Sequence, residues 1–442
     1  MEEESADQTS PVARYRWVIC ALLFFATAVN YIDRQILALL KPLLDHELGW
    51  TNAQYGEVAA AFQGSYALGL LVFGVLVDRV GSKIGYALSV AAWSLAAIAH
   101  GAASSVASFA RARVALGISE GGNFPAAIKA VAAWFPKRER ALATALFNSG
   151  ANVGAVVAPA IVPWLAFNWG WQSAFVVAGV AGFIWLFFWW LFYDEPEGIR
   201  HVTGNELAPI RSDATEPREP ANDGAGPNWF RLLRMRRAWS FIAAKALTDP
   251  VWWFFLTWLP DYFKNARGLD IRHSWVHLVT IYAIVTILSI AGGWIPSALV
   301  RAGVDMSRAR KMAMLLFACL VLPVFAVTRV GTWPAVLIIG LAGAAHQAWS
   351  ANLFTSVSDM FPKWAVGSVV GIGGMAGSIG GIFFPIYTGK LLDSFSTAHD
   401  VRAGYAILFS ICGSAYLVAF AFNHALAPTF ELTAPEVGAL DR

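Results

Sequence analysis

The sequence predicts an all-α, polytopic membrane protein with twelve transmembrane helices in two six-helix bundles. Three observations carry this. The 442 residues are 57% hydrophobic and 14% charged, with a mean hydropathy of +0.54, whereas a soluble domain carries about 25% charged residues. Apolar stretches recur at close to the roughly 20 residues that a helix needs to span a bilayer. The first set of six stretches also repeats in the second at a constant register. This composition excludes a soluble domain. The net charge of +3 gives no reason to expect a nucleic-acid partner.

Taken in order, residues 1–16 form an N-terminal tail. It opens MEEESADQTSP, acidic and without the positive n-region of a cleaved signal, so the first apolar segment is expected to stay as a helix. The first bundle, 17–193, has spans near 17–39, 54–77, 85–103, 107–131, 140–164 and 170–193. Residues 194–237 are rich in Pro, Asp, Glu and Arg without apolar periodicity, and read as a hydrophilic linker. The second bundle, 238–427, has spans near 238–262, 275–300, 311–328, 334–359, 367–391 and 402–427, and 428–442 form a tail. Cys20, Cys319 and Cys412 lie in apolar segments without metal-ligand or CxxC spacing, and read as small buried hydrophobes.

Lys and Arg set the expected orientation. Loops on the linker's side hold Arg79, Lys83, Lys137, Arg138, Arg140, Arg301, Arg308, Arg310, Lys311 and Lys363, and the linker adds Arg231, Arg234, Arg236 and Arg237. The opposite loops hold fewer: Lys41, Lys264, Arg267, Arg272, Arg329, Lys390 and Arg402. Both termini and the linker are therefore expected on the cytoplasmic side of the plasma (inner) membrane.

The internal repeat is read from Trp134-Phe135-Pro136-Lys137 against Met360-Phe361-Pro362-Lys363, each ending a polar-studded span. In the same register Gly154 answers to Gly380, Pro159 to Pro385, Glu120 to His346 and Gly121 to Gln347. Parallel repeats of this kind build transporters whose substrate site lies near the membrane midplane.

The fourth span carries Arg113 and Glu120. Seven residues are about two turns, so these opposite charges share one helix face. A charge at this depth costs at least ~2.5–3.5 kcal/mol on insertion scales, which makes such residues rare and usually functional. Gly117 and Gly121, on or beside that stripe, leave room for a neighbouring backbone or a ligand. A buried structural Arg113–Glu120 pair is the plainer alternative. In the first span Asp33 and Arg34 are adjacent, point about 100° apart and form no simple pair. A helix-end ion pair is the plainer reading there.

Gly74-Val75-Leu76-Val77-Asp78-Arg79-Val80-Gly81-Ser82-Lys83 resembles the GxLxDRxGxK loop between the second and third helices of the major facilitator superfamily. The physical reading is a cytoplasmic latch. Asp78 meets a helix N-terminus or a basic partner, Arg79 and Lys83 stay on the positive side, and the glycines permit close packing. Asn30-Tyr31-Ile32-Asp33-Arg34, the stretch Arg113 to Pro125, and Phe147 to Asn152 narrow the resemblance to the anion:cation symporter family of organic-acid transporters. Thr248 to Phe254 and His346 to Asn352 look most like its hexuronate branch, which imports galacturonate and glucuronate with protons.

The resemblance implies a proton-coupled symporter for a sugar-acid anion, working by alternating access. It assigns proton coupling to Asp33 and Glu120, and anion binding or charge balance to Arg34 and Arg113. Protons are the coupling ion, and no cofactor or metal is expected. The expected partners are a small carboxylate, protons and membrane lipid, with the chain acting as a monomer. Tyr31, Gln63 and Tyr66 offer hydrogen bonds for sugar hydroxyls, Gln63 and Tyr66 being neighbours on a face. Asn148 and Asn152, one turn apart, are similar candidates, although the family often has glutamine near Ala151. In the second half Gln347 and Asn352 are candidates for hydroxyls, and Trp253 and Trp349 for a sugar ring. Helix-packing roles compete with each of these. Lys245 and Asp249, four apart with Pro250 next, are read as a mutually neutralising pair beside a weakened helix, and His346 as a hydrogen-bonded core histidine. Galactonate, glucarate or an aromatic acid competes with hexuronate as substrate. A non-transporting receptor is the rival of another class. A membrane-bound enzyme finds no support, since there is no metal spacing, nucleophile elbow or nucleotide loop.

Overall fold

The computed structural model describes residues 11–135, 137–196, 229–269, 271–361, 363–398 and 400–430. Most of the linker and of both outer tails, and the prolines Pro136 and Pro362 of the repeat, lie outside the described residues; the expected N-terminal tail 1–16 is already helical from Pro11. Those described are helical apart from short turns and connections, with no strand among them. The long helices are α1 (Pro11–Leu48), α2 (Asn52–Val77), α3 (Arg79–Gly101), α4 (Val106–Glu120), α5 (Asn123–Trp134), α6 (Lys137–Trp169) and α7 (Trp171–Phe192). A short α8 (Trp229–Leu232) precedes α9 (Arg236–Asp261), α10 (Ile271–Arg301), α11 (Met306–Val321), α12 (Thr332–Met360), α13 (Lys363–Thr397) and α14 (Val401–Leu426). A π-helical turn, Tyr262–Ala266, extends α9, and a 3₁₀ segment, Leu322–Arg329, extends α11.

Nine segments among the described residues are long and apolar enough to cross a membrane. The exceptions are informative. The fourth span is divided into α4 and α5, while α9 and α12 carry Lys245, Asp249, His346, Gln347 and Asn352 in their interiors. With α4 and α5 forming one broken crossing, the helices make the expected two sets of six.

Local chemistry explains the breaks. Helical structure running from Asn52 to Gly101 is interrupted at Gly81, with φ 82° and ψ 167°, a conformation open essentially to glycine alone. The fourth span, expected as one continuous helix, stops at Glu120 because Gly121 and Gly122 follow, and a glycine pair is a common kink site. Pro125 then falls in the first turn of α5, where its missing N–H leaves no helical bond unmade. Ser105 starts α4 with a capping box to Ser108.

The chain divides into two compact units: Met1–Trp50 with Ala61–Pro220, and Thr51–Ala60 with Ala221–Arg442. The division falls inside α2, so its first turns belong to the second unit. In the first unit, Gly150 and Gly154 of α6 lie against the Phe24 and Ala28 carbonyls of α1, where a Cβ would come within 2.3 and 2.4 Å. Gly117 of α4 and Gly121 just beyond its end meet α2 at Phe62, Ser65 and Gly69 in the same way. The space left by these two glycines therefore takes a neighbouring backbone. The second unit repeats the pattern, with Gly377 and Gly380 of α13 against Asp249 and Pro250 of α9, and Gly292 of α10 against Ala348 of α12.

An aromatic core around Tyr86, Trp93, Trp134, Trp185 and Trp189 fills the end of the first unit near Asp194. The indoles of Trp134, Trp185 and Trp189 donate to the carbonyls of Asp194, Leu22 and Lys83. Large apolar side chains such as Leu71, Phe187, Trp190, Ile287 and Phe383 cover the outside, the inverse of a water-facing surface. Cys319, expected to be buried, is exposed on α11, while Cys20 and Cys412 are buried. An apolar segment places thiols on its outer face as readily as inside when lipid is the solvent.

Candidate substrate and proton site

Charged side chains from α1 and α4 meet in the first unit. Arg34 Nε of α1 donates to Glu120 Oε2 of α4 at 2.7 Å, with side-chain exposures of 9% and 0%. Glu120 thus bonds across helices to Arg34 of α1. The seven residues from Arg113 to Glu120 rise about 10 Å, and Arg34 arrives at the carboxylate's own level. Arg34 is further held by aromatic faces, its guanidinium lying 4.3 Å from the Tyr66 ring centroid, 5.1 Å from Tyr31 and 5.5 Å from Phe62. Arg113, also buried, lies 5.5 Å from the same Phe62 ring.

Asp33 differs from Glu120. It is buried, and neither carboxyl oxygen has a hydrogen-bond partner among the described residues. Oε1 of Glu120 is likewise unpartnered, as are both amide atoms of the fully buried Asn30. Gln63 is buried on α2, whereas Tyr31 and Tyr66 are half-buried. The cluster thus holds two cations and two acids, with unused acceptors facing inward. A buried carboxyl without compensation is costly when ionised.

The sequence candidates fall in different places. Asp33, Arg34, Arg113 and Glu120 come together with Tyr31 and Tyr66. Asn148 is exposed and Asn152 half-buried on α6. Phe62, whose ring serves both arginines, was missed by sequence reasoning. Its available signal was an aromatic one turn before Tyr66, and the two rings stack at 6.0 Å and 16°. In the loop that resembles GxLxDRxGxK, Gly74 is half-buried, Arg79 is exposed, Gly81 makes the break, and Lys83 pairs with Asp194 at 3.0 Å. The side chain of Asp78 lies outside the described residues.

In the second unit Trp253 and Gln347 are half-buried. Trp349 is enclosed, its ring edge-on to Tyr416 at 5.8 Å, and the Asn352 amide donates to the carbonyls of Gly292 and Ala348 at 3.0 and 2.8 Å. These two side chains are engaged in packing α12 against its neighbours. His346 is stacked on Trp252 at 5.2 Å and hydrogen-bonded through Nδ1 to the Tyr416 hydroxyl at 2.6 Å. Lys245 donates to Asp249 at 2.7 Å along α9. No group of three or more metal-ligating side chains occurs among the described residues.

Comparison with known proteins agrees with this architecture. The family model described as Major Facilitator Superfamily matches residues 23–385. The hexuronate transporter of Escherichia coli K12 is 31% identical over 397 residues, covering 89% of this chain and 92% of that protein. A probable galactarate/D-glucarate transporter of Bacillus subtilis strain 168 is also 31% identical, over 401 residues and 86% of each chain. Among solved structures, an inward-facing, unoccupied bacterial homologue of the human lysosomal transporter Spinster aligns with a TM-score of 0.74 at 19% identity, covering 94% of this chain and 98% of the other. The family is one of transporters and not of enzymes. With twelve membrane crossings in two sets of six and a family match across most of its length, this chain is a member of the Major Facilitator Superfamily.

Proposed function

We propose that the protein is a proton-coupled symporter that imports a sugar-acid monoanion, a hexuronate such as galacturonate, by alternating access. The carrying observation is the first-unit cluster, where the unpartnered Asp33 carboxyl accompanies the Arg34–Glu120 ion pair and Arg113. In this reading a substrate carboxylate takes Arg34 as a bidentate partner. Glu120, displaced from Arg34, takes up a proton, and Asp33 carries a second exchangeable proton. Tyr31, Tyr66 and Asn152 serve the uncharged part of the sugar. The curated relatives named for hexuronate and for galactarate/D-glucarate support a sugar acid as substrate class. The Lys and Arg distribution supports cytoplasmic termini in the inner membrane.

Reconstitution in proteoliposomes tests the proposal. An inwardly directed proton gradient is expected to accelerate galacturonate uptake, Glu120→Gln to uncouple uptake from the gradient, and Arg34→Ala to abolish it. Uptake that ignores both the gradient and Glu120→Gln would remove Glu120 from the coupling. Binding without accumulation would point to a receptor.

A further inference from the structure

The proposed function gives no task to Asn30. This residue lies inside α1 and is fully buried, and neither its amide oxygen nor its amide nitrogen has a hydrogen-bond partner among the described residues. Buried amides are almost always bonded, so one left open at both atoms calls for a physical account. Its surroundings supply one. Asp33 and Arg34 stand three and four residues further along α1, hence on the same face. The amide also lies beside the Glu120 carboxylate of α4. Glu120 Oε2 accepts from Arg34 Nε at 2.7 Å, whereas Oε1 is buried and unpartnered. An open amide and an open carboxyl oxygen therefore stand near each other without a bond between them.

We infer that Asn30 is a positioning residue for Glu120, holding its carboxyl group once a substrate carboxylate has taken Arg34 from it. This rests on the proposed displacement of Glu120 from Arg34. The chemistry of the amide suits the task. Its NH₂ group donates to an ionised carboxylate, and its carbonyl accepts from the O–H of a protonated one. Asn30 thus serves Glu120 before and after the proton arrives. Arg113 adds a positive charge and Asp33 a second acid to these surroundings. Arginine only donates and an ionised aspartate only accepts, so neither bonds both forms of Glu120. Without the amide, leaving Arg34 strands a buried carboxyl group, and substrate binding is weakened by that cost.

The test is calorimetric titration of galacturonate into the full-length protein in detergent, with melting temperatures measured without substrate. Asn30→Leu is close in size and makes no side-chain hydrogen bond. It is expected to weaken galacturonate binding at least about tenfold. The substrate-free melting temperature is expected to stay unchanged or to rise, because Asn30 makes no bond while Arg34 and Glu120 are paired. In a Glu120→Leu background there is no carboxyl group to hold, and adding Asn30→Leu is expected to change affinity by less than about twofold. A merely structural Asn30 would lower the melting temperature or prevent folding, and a direct substrate contact would weaken binding equally in both backgrounds. Either result overturns the inference, as does an Asn30→Leu protein that binds galacturonate as tightly as the wild type. Glu120→Met removes the same carboxyl group should the Glu120→Leu variant not fold. A wild type that does not bind galacturonate fails at the earlier step, by removing the hexuronate reading and this inference with it.

Discussion

At the scale of single residues, the site is governed by which buried charges have partners. Glu120 and Arg34 are each other's partner, so removing one member leaves the other uncompensated, a change that costs about 3–5 kcal/mol. Glu120→Ala and Arg34→Ala are expected to lower the melting temperature of the detergent-solubilised protein markedly. Asp33 has no bond to lose, and Asp33→Asn is expected to change stability by less than about 1 kcal/mol. Equal destabilisation by the three substitutions would contradict this account of the cluster. The identities of these residues were legible in the sequence, because a charge in an apolar stretch is conspicuous. Their pairing was not. Helical spacing relates Glu120 to Arg113, but the partner comes from α1, and only packing brings Arg34 to its level. Phe62 escaped notice for the opposite reason: one aromatic among many apolar residues carries no local signal of the arginines stacked on it.

At the scale of elements, glycines decide how closely the helices approach and where they break. Gly81 holds a backbone conformation denied to other residues, so Gly81→Ala is expected to cost about 1–3 kcal/mol. Gly121→Ala sets a Cβ 2.4 Å from the Gly69 backbone, whereas Gly374→Ala on α13 enters open space. The first is expected to destabilise the protein. The second is expected to be neutral or to stabilise it by about 0.5–1 kcal/mol, as alanine replaces glycine within a helix. Thermal melts of both variants check the contrast, which reversed melting shifts would contradict. Hydropathy located every long helix, yet it joined α4 to α5, since Gly121–Gly122 is apolar enough to pass unnoticed in a window of twenty residues. Hydropathy likewise placed Asn352 and Trp349 among polar-studded site candidates, although it cannot tell a side chain directed at a ligand from one directed at a neighbouring helix. Asn352 illustrates the difficulty, its amide bonding the Gly292 carbonyl of α10.

At the scale of the whole molecule, the two units share a packing plan and differ in charge. The first gathers two arginines and two acids, while the second keeps Lys245 and Asp249 as a neutral pair. The repeat and the loop ending in Lys83 made the fold class readable from sequence. The substrate was less readable, because sugar acids differ by hydroxyl geometry and by one carboxylate, while relatives named for either class resemble this chain equally. Charge movement follows from the proposed coupling. One proton with a monoanion is electrically silent, and two protons carry one net positive charge inward, worth ~2.3 kcal/mol per 100 mV. If Asp33 and Glu120 both deliver protons, an inside-negative potential is expected to accelerate uptake by the wild type and to have no such effect on Asp33→Asn. The most direct test of the central claim is proton-gradient-driven accumulation of galacturonate in proteoliposomes by the wild type and by Asp33→Asn matched for melting temperature. The account predicts accumulation above equilibrium for the wild type and a large loss of that accumulation for the variant. Equal accumulation by both proteins, or wild-type uptake indifferent to the gradient, would contradict it.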